Sequence, residues 1–192
     1  KLKRVWNEVI NDKRDVKDIK DLNGGKNSSR LRDLFLSEYK KVVDYIPPSG
    51  YNFKRNGEIA LPNMMQKLTV QRVIDYKRYG NWSGTGAGKT LTTAALIENY
   101  YKKSPNPTTF KCIMIVPDLG LVQQTYDEFI SSGITFKLTK WTGSNKPDLT
   151  SNVVICNIQI LLSQFKNNEW VKYVDLLVVD ECHKVKSSNE IS

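Results

Sequence analysis

Apolar side chains in the first 60 residues follow a helical period. They recur at spacings of three and four over residues 31–46, and more briefly over residues 2–10, so each stretch presents one apolar stripe. The proline pair that follows ends the longer stripe, because proline cannot donate a helical hydrogen bond. Asn56-Gly57, between two short mixed runs, indicates a hairpin. We therefore interpret residues 1–60 as an accessory helical segment.

From residue 61 the pattern alternates between helical stripes and short, nearly continuous apolar runs. Such runs are typical of strands buried on both faces, as in a parallel sheet covered by helices. We predict an α/β domain over residues 61–192 with a mainly parallel central sheet. Helices are predicted at 64–79, 91–101 and 119–130, and strands at 79–82, 110–116, 134–139, 153–156 and 174–179.

Composition and charge narrow the class of protein. With 40% hydrophobic and 26% charged residues, the chain has the balance of a globular protein, which excludes wholesale disorder. No apolar run approaches the roughly 18 residues that a membrane span needs. The net charge of +9 is divided between the two segments, with 14 basic and 9 acidic residues in 1–60 and 15 and 11 in 61–192. This excess favours a polyanionic partner such as nucleic acid, the alternative being an ordinary basic surface.

The three cysteines are an odd number, so they cannot all pair within the chain. Cys112, Cys156 and Cys182 each lie in or beside an apolar run, which predicts reduced, buried thiols in an intracellular protein of the cytoplasm, the nucleus or a virus factory. His183 is the single histidine, and no Cys/His spacing indicates a zinc site.

A glycine-rich stretch that ends in lysine carries the clearest chemistry. Closely spaced glycines let backbone N–H groups curl around a triphosphate, and the helix that follows directs its positive end at the phosphates. Lys89 supplies a charge for the β- and γ-phosphates, and the Thr90 hydroxyl is a ligand suited to Mg²⁺. The alternative is a glycine-rich turn without a ligand. The predicted ATP-Mg²⁺ loop consists of Ser83, Gly84, Thr85, Gly86, Ala87, Gly88, Lys89 and Thr90.

The last apolar run ends in two carboxylates, Asp180 and Glu181. In open α/β sheets ligands lie at the carboxyl ends of the strands, where these residues fall. Asp180 is predicted to hold Mg²⁺ through its water shell, and Glu181 to act as the base for the attacking water. The alternative is an exposed strand end with no role in catalysis.

The glycine-rich loop together with Asp180-Glu-Cys-His183 resembles the first RecA-like domain of superfamily 2 helicases, in their DExH branch. Within that branch it resembles phage recombination helicases of the UvsW type and the ATPases of large DNA viruses. The resemblance implies a RecA-like fold, a catalytic coupling role for His183, and an ATP-driven helicase or translocase that acts on DNA rather than RNA. The alternatives are an RNA helicase, a translocase module that does not unwind, and an ATP-binding scaffold.

Shorter stretches resemble further motifs of the same family. Gln66, 23 residues before Lys89, resembles the glutamine that reads adenine, and Gln71 on the same predicted helix is a rival for that role. Contacts with the nucleic-acid backbone are implied at Pro117, Thr142, Gly143 and Asn157.

A second RecA-like domain is implied as a partner in the full-length chain. In related phosphoryl transfer its arginine fingers are worth about 10³–10⁵ in turnover. We therefore expect the 192 residues by themselves to bind ATP-Mg²⁺ but to hydrolyse it slowly.

Overall fold

The structure, a computed structural model, describes residues 33, 34, 36–38, 40, 41, 54, 55, 57–59, 62–81 and 86–182. The chain divides into two units, Lys1–Tyr45 and Ile46–Ser192. In the first unit the described residues 33, 34, 36–38 and 40 are helical, which confirms the predicted helix at those positions. The stripe predicted over residues 2–10 lies outside the described residues.

Among its described residues, the second unit begins with a two-stranded hairpin. Strand β1 (Lys54–Arg55) pairs antiparallel with strand β2 (Glu58–Ile59). Gly57 between them has φ of 81°, a left-handed conformation that glycine adopts at little steric cost. The hairpin predicted from Asn56-Gly57 is thus confirmed.

In the part of the chain that the structure describes, the main sheet has four parallel strands, in the order β4-β5-β3-β6. Strand β3 lies between β5 and β6, so that Ile113 is opposite both Val154 and Leu177. Every residue of β3 and β5 is buried, as expected for strands that are covered on both faces. The strands are β3 (Cys112–Val116), β4 (Leu138–Trp141), β5 (Val153–Asn157) and β6 (Leu176–Val179).

Helices connect these strands, and polar side chains fix where several of them begin. Asn63 accepts a hydrogen bond from the backbone N–H of Gln66, Asp118 from Leu121 and Asn157 from Ile160. The helices are α1 (Met64–Tyr76), α2 (Lys89–Lys103), α3 (Leu119–Ser131) and α4 (Ile158–Gln164), and 3₁₀ turns follow at Phe165–Asn167 and Glu169–Tyr173. The sequence did not predict α4, because its seven residues are too few to show a helical period.

The core has two clusters that use alternate residues of the same strands, one on each face of the sheet. On one face Met114 and Ile155 pack with Phe129 of α3. On the other face Ile113 and Val154 pack with Trp141, whose ring lies 5.6 Å from that of Trp170. Helical and 3₁₀ segments therefore cover both faces, which confirms the predicted α/β architecture.

Two predicted strands are wrong in position. Residues 79–81 form no strand, because Gly80 and Asn81 are poor strand formers and Tyr79 is exposed; Trp82 lies outside the described residues. The strand predicted over 134–139 begins only at Leu138. Thr135 instead donates from its backbone N–H and its hydroxyl to the buried carboxylate of Glu98 in α2, which holds this part of the chain out of the sheet.

The cysteines differ in their exposure. Cys112 and Cys156 are buried in the sheet, and this burial raises the pKa of both thiols, that of Cys156 to about 12. Cys182 is exposed, so the prediction of a buried thiol is wrong there, because the chain has left the sheet after Val179.

None of the described helices is long and apolar enough to cross a membrane.

Asn152, directly before β5, joins three segments at the amino-terminal ends of the strands. Its Oδ1 accepts from the backbone N–H of Lys137 at 3.1 Å, and its Nδ2 donates to the carbonyls of Pro107 at 2.9 Å and Phe110 at 3.3 Å. The side chain is 4% exposed, so water cannot readily replace these partners.

We expect Asn152→Ala to lower the free energy of unfolding by about 2–4 kcal/mol, because it leaves buried backbone groups without partners. Urea denaturation measures the effect. Asn145→Ala is the matched control, since this asparagine is exposed, and it should change stability by no more than about 0.5 kcal/mol. Equal effects of the two variants would contradict the role given to Asn152.

Candidate functional site

The carboxyl ends of all four strands of the main sheet lie at one edge, because every pair of strands is parallel. The pairing places Val116 opposite Asn157, and Ile115 opposite Val179. The segments that follow β3, β5 and β6 therefore leave the sheet side by side. We call this edge the carboxyl edge.

The end of the predicted phosphate loop leads directly into α2. Gly86 and Gly88 have φ of 74° and 76°, and Gly88 is the residue before the first turn of the helix. Lys89 and Thr90 form the start of that turn, where backbone N–H groups have no partner within the helix and can donate to an anion. Gly86 and Ala87 are exposed. The predicted loop residues Ser83, Gly84 and Thr85 lie outside the described residues.

Gln66 of α1 packs against this loop. Its Nε2 donates to the carbonyl of Gly88 at 3.3 Å, and a Cβ added to Gly88 would lie 2.7 Å from the same nitrogen. The other end of the amide is also fixed, since Oε1 accepts from the backbone N–H of Asn63 at 2.8 Å. Gln71, the rival for the adenine-reading role, donates instead to Asp75 on the same helix.

The Asn63-Gln66 pair is a capping box, in which each side chain accepts from the backbone of the other residue. Sequence reasoning missed this contact, although Asn-x-x-Gln at the start of an apolar stripe is its usual signature. The capping box fixes Gln66, and Gln66 in turn contacts Gly88 of the predicted phosphate loop.

The structure brings Lys89 and Glu181, one of the two predicted carboxylates, together. Lys89 Nζ lies 3.3 Å from Glu181 Oε1, although the two residues are 92 positions apart in the chain. Their side chains are 32% and 30% exposed. An ion pair with this much solvent contributes at most about 1 kcal/mol, so an incoming phosphate group can replace it.

A tight turn that contains both carboxylates follows β6. The backbone N–H of Asp180 still donates to Ile115 of β3 at 2.8 Å, while Asp180 Oδ1 accepts from the backbone N–H of Glu181 at 3.0 Å. Glu181 has φ of 48°, a left-handed conformation that costs about 1–2 kcal/mol for a residue with a Cβ. This strained turn lets Glu181 reach Lys89. His183 lies outside the described residues.

The oxygen donors at this edge fit the chemistry of Mg²⁺. Thr90 supplies a hydroxyl and Asp180 a carboxylate, and Mg²⁺ in phosphate sites uses one or two protein oxygens with water and phosphate completing its shell. The described part of the chain contains no group of three or more His, Cys, Asp or Glu residues that could form an all-protein metal cage. The donor set therefore suits a metal that arrives with a nucleotide.

The four residues predicted to contact nucleic acid all lie at the carboxyl edge, but they differ in their exposure to solvent. Gly143 is exposed, and Pro117 and Thr142 are half-buried. Thr142 Oγ1 accepts from the backbone N–H of Asn145 at 3.1 Å. Asn157 is 9% exposed, and its Oδ1 accepts from the backbone of α4, so its side chain already serves the fold.

Comparisons with known proteins agree with this geometry. The family described as "Type III restriction enzyme, res subunit" (ResIII) matches residues 58–192. Two curated relatives, the ATP-dependent DNA helicases Hel308 of Methanococcus vannielii and Methanocaldococcus jannaschii, are each 32% identical over 108 residues. The match covers 53% of this chain but only 14% and 9% of the two helicases, so the chain spans a small part of their length.

Solved structures share the fold. The UvsW helicase of bacteriophage T4 superposes with a TM-score of 0.63 at 22% identity, over 81% of this chain and 53% of that chain. The SWI2/SNF2 ATPase core of Sulfolobus solfataricus, solved in complex with dsDNA, superposes with a TM-score of 0.55 at 20% identity, over 76% and 30% of the two chains. These similarities confirm the RecA-like fold.

We expect Gly88→Ala to weaken ATP-Mg²⁺ binding at least about tenfold, because the new Cβ strains a left-handed backbone and displaces Gln66. Titration with a fluorescent ATP analogue measures this effect. Gly120→Ala in α3 is the control: its Cβ would meet only Asp118 Oδ1 at 3.4 Å, with no left-handed backbone. The role of the Gly88 contact is refuted if both variants bind the analogue as the parent chain does.

Proposed function

The chain belongs to the family of the type III restriction enzyme res subunit, a superfamily 2 RecA-like domain, and on this premise we propose that it is the N-terminal ATPase domain of an ATP-dependent helicase or translocase. The observation that carries the proposal is the 3.3 Å contact between Lys89 Nζ and Glu181 Oε1. It joins the end of the glycine-rich loop to the carboxylates after β6, which are the two halves of a nucleotide-hydrolysing site.

ATP binding exchanges the partner of Lys89. A triphosphate carries several negative charges and Glu181 only one, so the lysine leaves the carboxylate for the phosphate oxygens. Backbone N–H groups of the loop and of the first turn of α2 donate to the same phosphates. The exchange frees Glu181 to accept a proton from the attacking water, so that the base is released only when substrate is present.

Thr90 and Asp180 are the residues that would hold Mg²⁺, Asp180 through water. When bound, the ion neutralises charge on the phosphate oxygens. Gln66 fixes the loop through Gly88 and, counting contacts with the described residues, has one amide hydrogen left for an adenine edge, since each amide nitrogen carries two hydrogens. We assign His183 the coupling of this site to the nucleic-acid surface.

We propose that the nucleic acid is DNA, bound through backbone phosphates at the carboxyl edge near Pro117, Thr142, Gly143 and Asn157. The two curated relatives are named DNA helicases, and one structural neighbour was solved with dsDNA. Contacts with phosphates need no base recognition, so binding should tolerate any sequence and weaken with salt.

The family description favours a second candidate, a restriction-enzyme module that translocates without unwinding. Strand-displacement and triplex-displacement assays on the full-length protein distinguish this candidate from a helicase.

A second RecA-like domain supplies the arginine fingers, so residues 1–192 alone bind ATP-Mg²⁺ and turn it over slowly. Residues 61–192 are the ATP-binding domain and residues 1–60 an accessory segment, which the family match from residue 58 supports. The three free cysteines support an intracellular location.

In the full-length protein, Lys89→Ala should reduce ATP turnover at least about 10³-fold, because it removes the charge-assisted contact with the transferred phosphate. A coupled-enzyme ATPase assay in the presence of DNA measures it. Lys102→Ala, at the far end of α2 and exposed, is the matched control and should retain turnover within about twofold. Retained ATPase activity in the Lys89 variant would exclude the proposed site.

Thr142→Asp should weaken DNA binding about tenfold at low salt while leaving the loop intact. The new carboxylate can accept from the backbone of Asn145 as the hydroxyl does, but it repels a neighbouring phosphate. Thr108→Asp is the control, because this exposed threonine precedes β3 and so lies away from the carboxyl edge. Fluorescence anisotropy with labelled DNA measures both, and equal losses in the two variants would remove Thr142 from the DNA surface.

A further inference from the structure

The end of α1 carries two exposed tyrosine rings among basic side chains. Tyr76 is 68% exposed and Tyr79 39%. Lys77 and Arg78, which lie between them in the sequence, are exposed as well. Together with Arg72 in the last turn of the helix, these four residues form a surface that we call the tyrosine patch. None of the residues assigned to the ATP site or to the DNA surface belongs to it.

The backbone at the end of α1 brings the two rings to the same guanidinium. Lys77 has φ of 63° and donates from its backbone N–H to Val73 at 2.9 Å, which ends the helix and turns the chain back. Arg72 Nη1 therefore reaches the hydroxyl of Tyr79 at 3.4 Å, with its guanidinium carbon 5.8 Å from the ring centre. Tyr76 is four residues after Arg72 on the helix, so these two side chains are neighbours.

The patch is positively charged. It has three cationic side chains against one nearby carboxylate, that of Asp75, which gives a net charge of +2. Asp75 accepts from Gln71 at 2.8 Å. Lys77 and Arg78 form no ion pair with any residue that the structure describes. The helix dipole favours cations at this end of α1, but it gives no reason for two exposed aromatic rings beside them.

The combination of rings and cations limits the class of partner. A membrane surface requires an apolar helix face, and that of α1 is already buried through Leu68, Val70 and Val73. An acidic peptide would pair with the cations and leave the rings in water. A nucleic-acid duplex keeps the faces of its bases stacked inside. A single strand offers a flat base and a phosphate at every nucleotide, which matches both features of the patch.

We propose that the tyrosine patch is a second nucleic-acid contact of this domain and binds single-stranded DNA. Bases stack on the rings of Tyr76 and Tyr79, while Lys77 and Arg78 contact the phosphates on either side. Arg72 is a positioning residue, since it holds the ring of Tyr79. The choice of DNA over RNA rests on the proposed function, whereas the preference for a single strand follows from the patch itself.

The position of the patch separates it from the DNA surface at the carboxyl edge. The first turn of α1 contacts the phosphate loop through Gln66. The patch lies at the other end of this helix of 13 residues, about 20 Å away at 1.5 Å per residue. The patch therefore holds a part of the strand that lies outside the carboxyl edge.

Binding of labelled oligothymidylate to the full-length protein without nucleotide tests the stacking. Tyr76→Ala should weaken the affinity for a strand of about 30 nucleotides at least about fivefold, because it removes a stacking ring. Tyr76→Phe keeps the ring and should bind as the parent does. Tyr173→Ala is the matched control: this tyrosine is 76% exposed, but its neighbour Lys172 is paired with Glu169. It should retain the affinity within about twofold.

Two further measurements separate stacking from charge. The double variant Lys77→Gln/Arg78→Gln should reduce the slope of log affinity against log salt by about one to two, since two phosphate contacts are lost. Tyr76→Ala should leave that slope unchanged. A strand that contains iodouracil crosslinks on irradiation to aromatic rings stacked on its bases, and we expect crosslinks at Tyr76 and Tyr79 in the parent protein.

Other outcomes overturn the proposal. It fails if Tyr76→Ala binds the strand as the parent does, if Tyr173→Ala loses as much affinity, or if only the double charge variant weakens binding. Should Tyr76→Ala not fold, the crosslinks of the parent protein decide alone. Failure here is distinct from failure of the proposed motor, which the ATPase activity of the Lys89 variant and DNA binding of the Thr142 variant test separately.

Discussion

The parallel direction of the four strands is the constraint on which the candidate site depends. Because all strands of the main sheet run the same way, every connection must cross to the other edge before the next strand begins, and every strand delivers its last residue to the same edge. Lys89 and Glu181 meet there across 92 residues of sequence. If β6 were antiparallel, Asp180 and Glu181 would lie at the opposite edge of the sheet from Lys89. The candidate site would then not form.

The sequence predicted this arrangement where short-range physics decides it. The helix at 119–130 and the strand at 153–156 were confirmed nearly residue for residue, because apolar periodicity and caps such as Asp118 act within a few positions. Residues 79–81 and 134–137 were predicted as strand and are not. At 134–137 the outcome depends on a partner far away in the chain, the carboxylate of Glu98 that binds Thr135. At 79–81 the poor strand propensity of Gly80 and Asn81 decides it.

The site shows the same division between local and distant causes. The residue types of the loop and of the acidic turn were visible in the sequence, since the proposed binding of phosphate and magnesium requires them. The contact of Gln66 with Gly88, the left-handed backbone of Glu181 and the exposure of Cys182 were not, because each depends on how the chain leaves a helix or strand.

At Glu181 the left-handed backbone lowers the stability of the fold, whereas the carboxylate serves the proposed reaction. Glycine would relieve that conformation at no steric cost, yet glycine has no carboxylate to offer Lys89 or a water molecule. A laboratory selection for heat resistance alone would therefore enrich glycine or asparagine at this position, and the more stable proteins so obtained would lack the proposed catalytic base. Any such engineering of this fold has to hold position 181 fixed and seek its gains elsewhere.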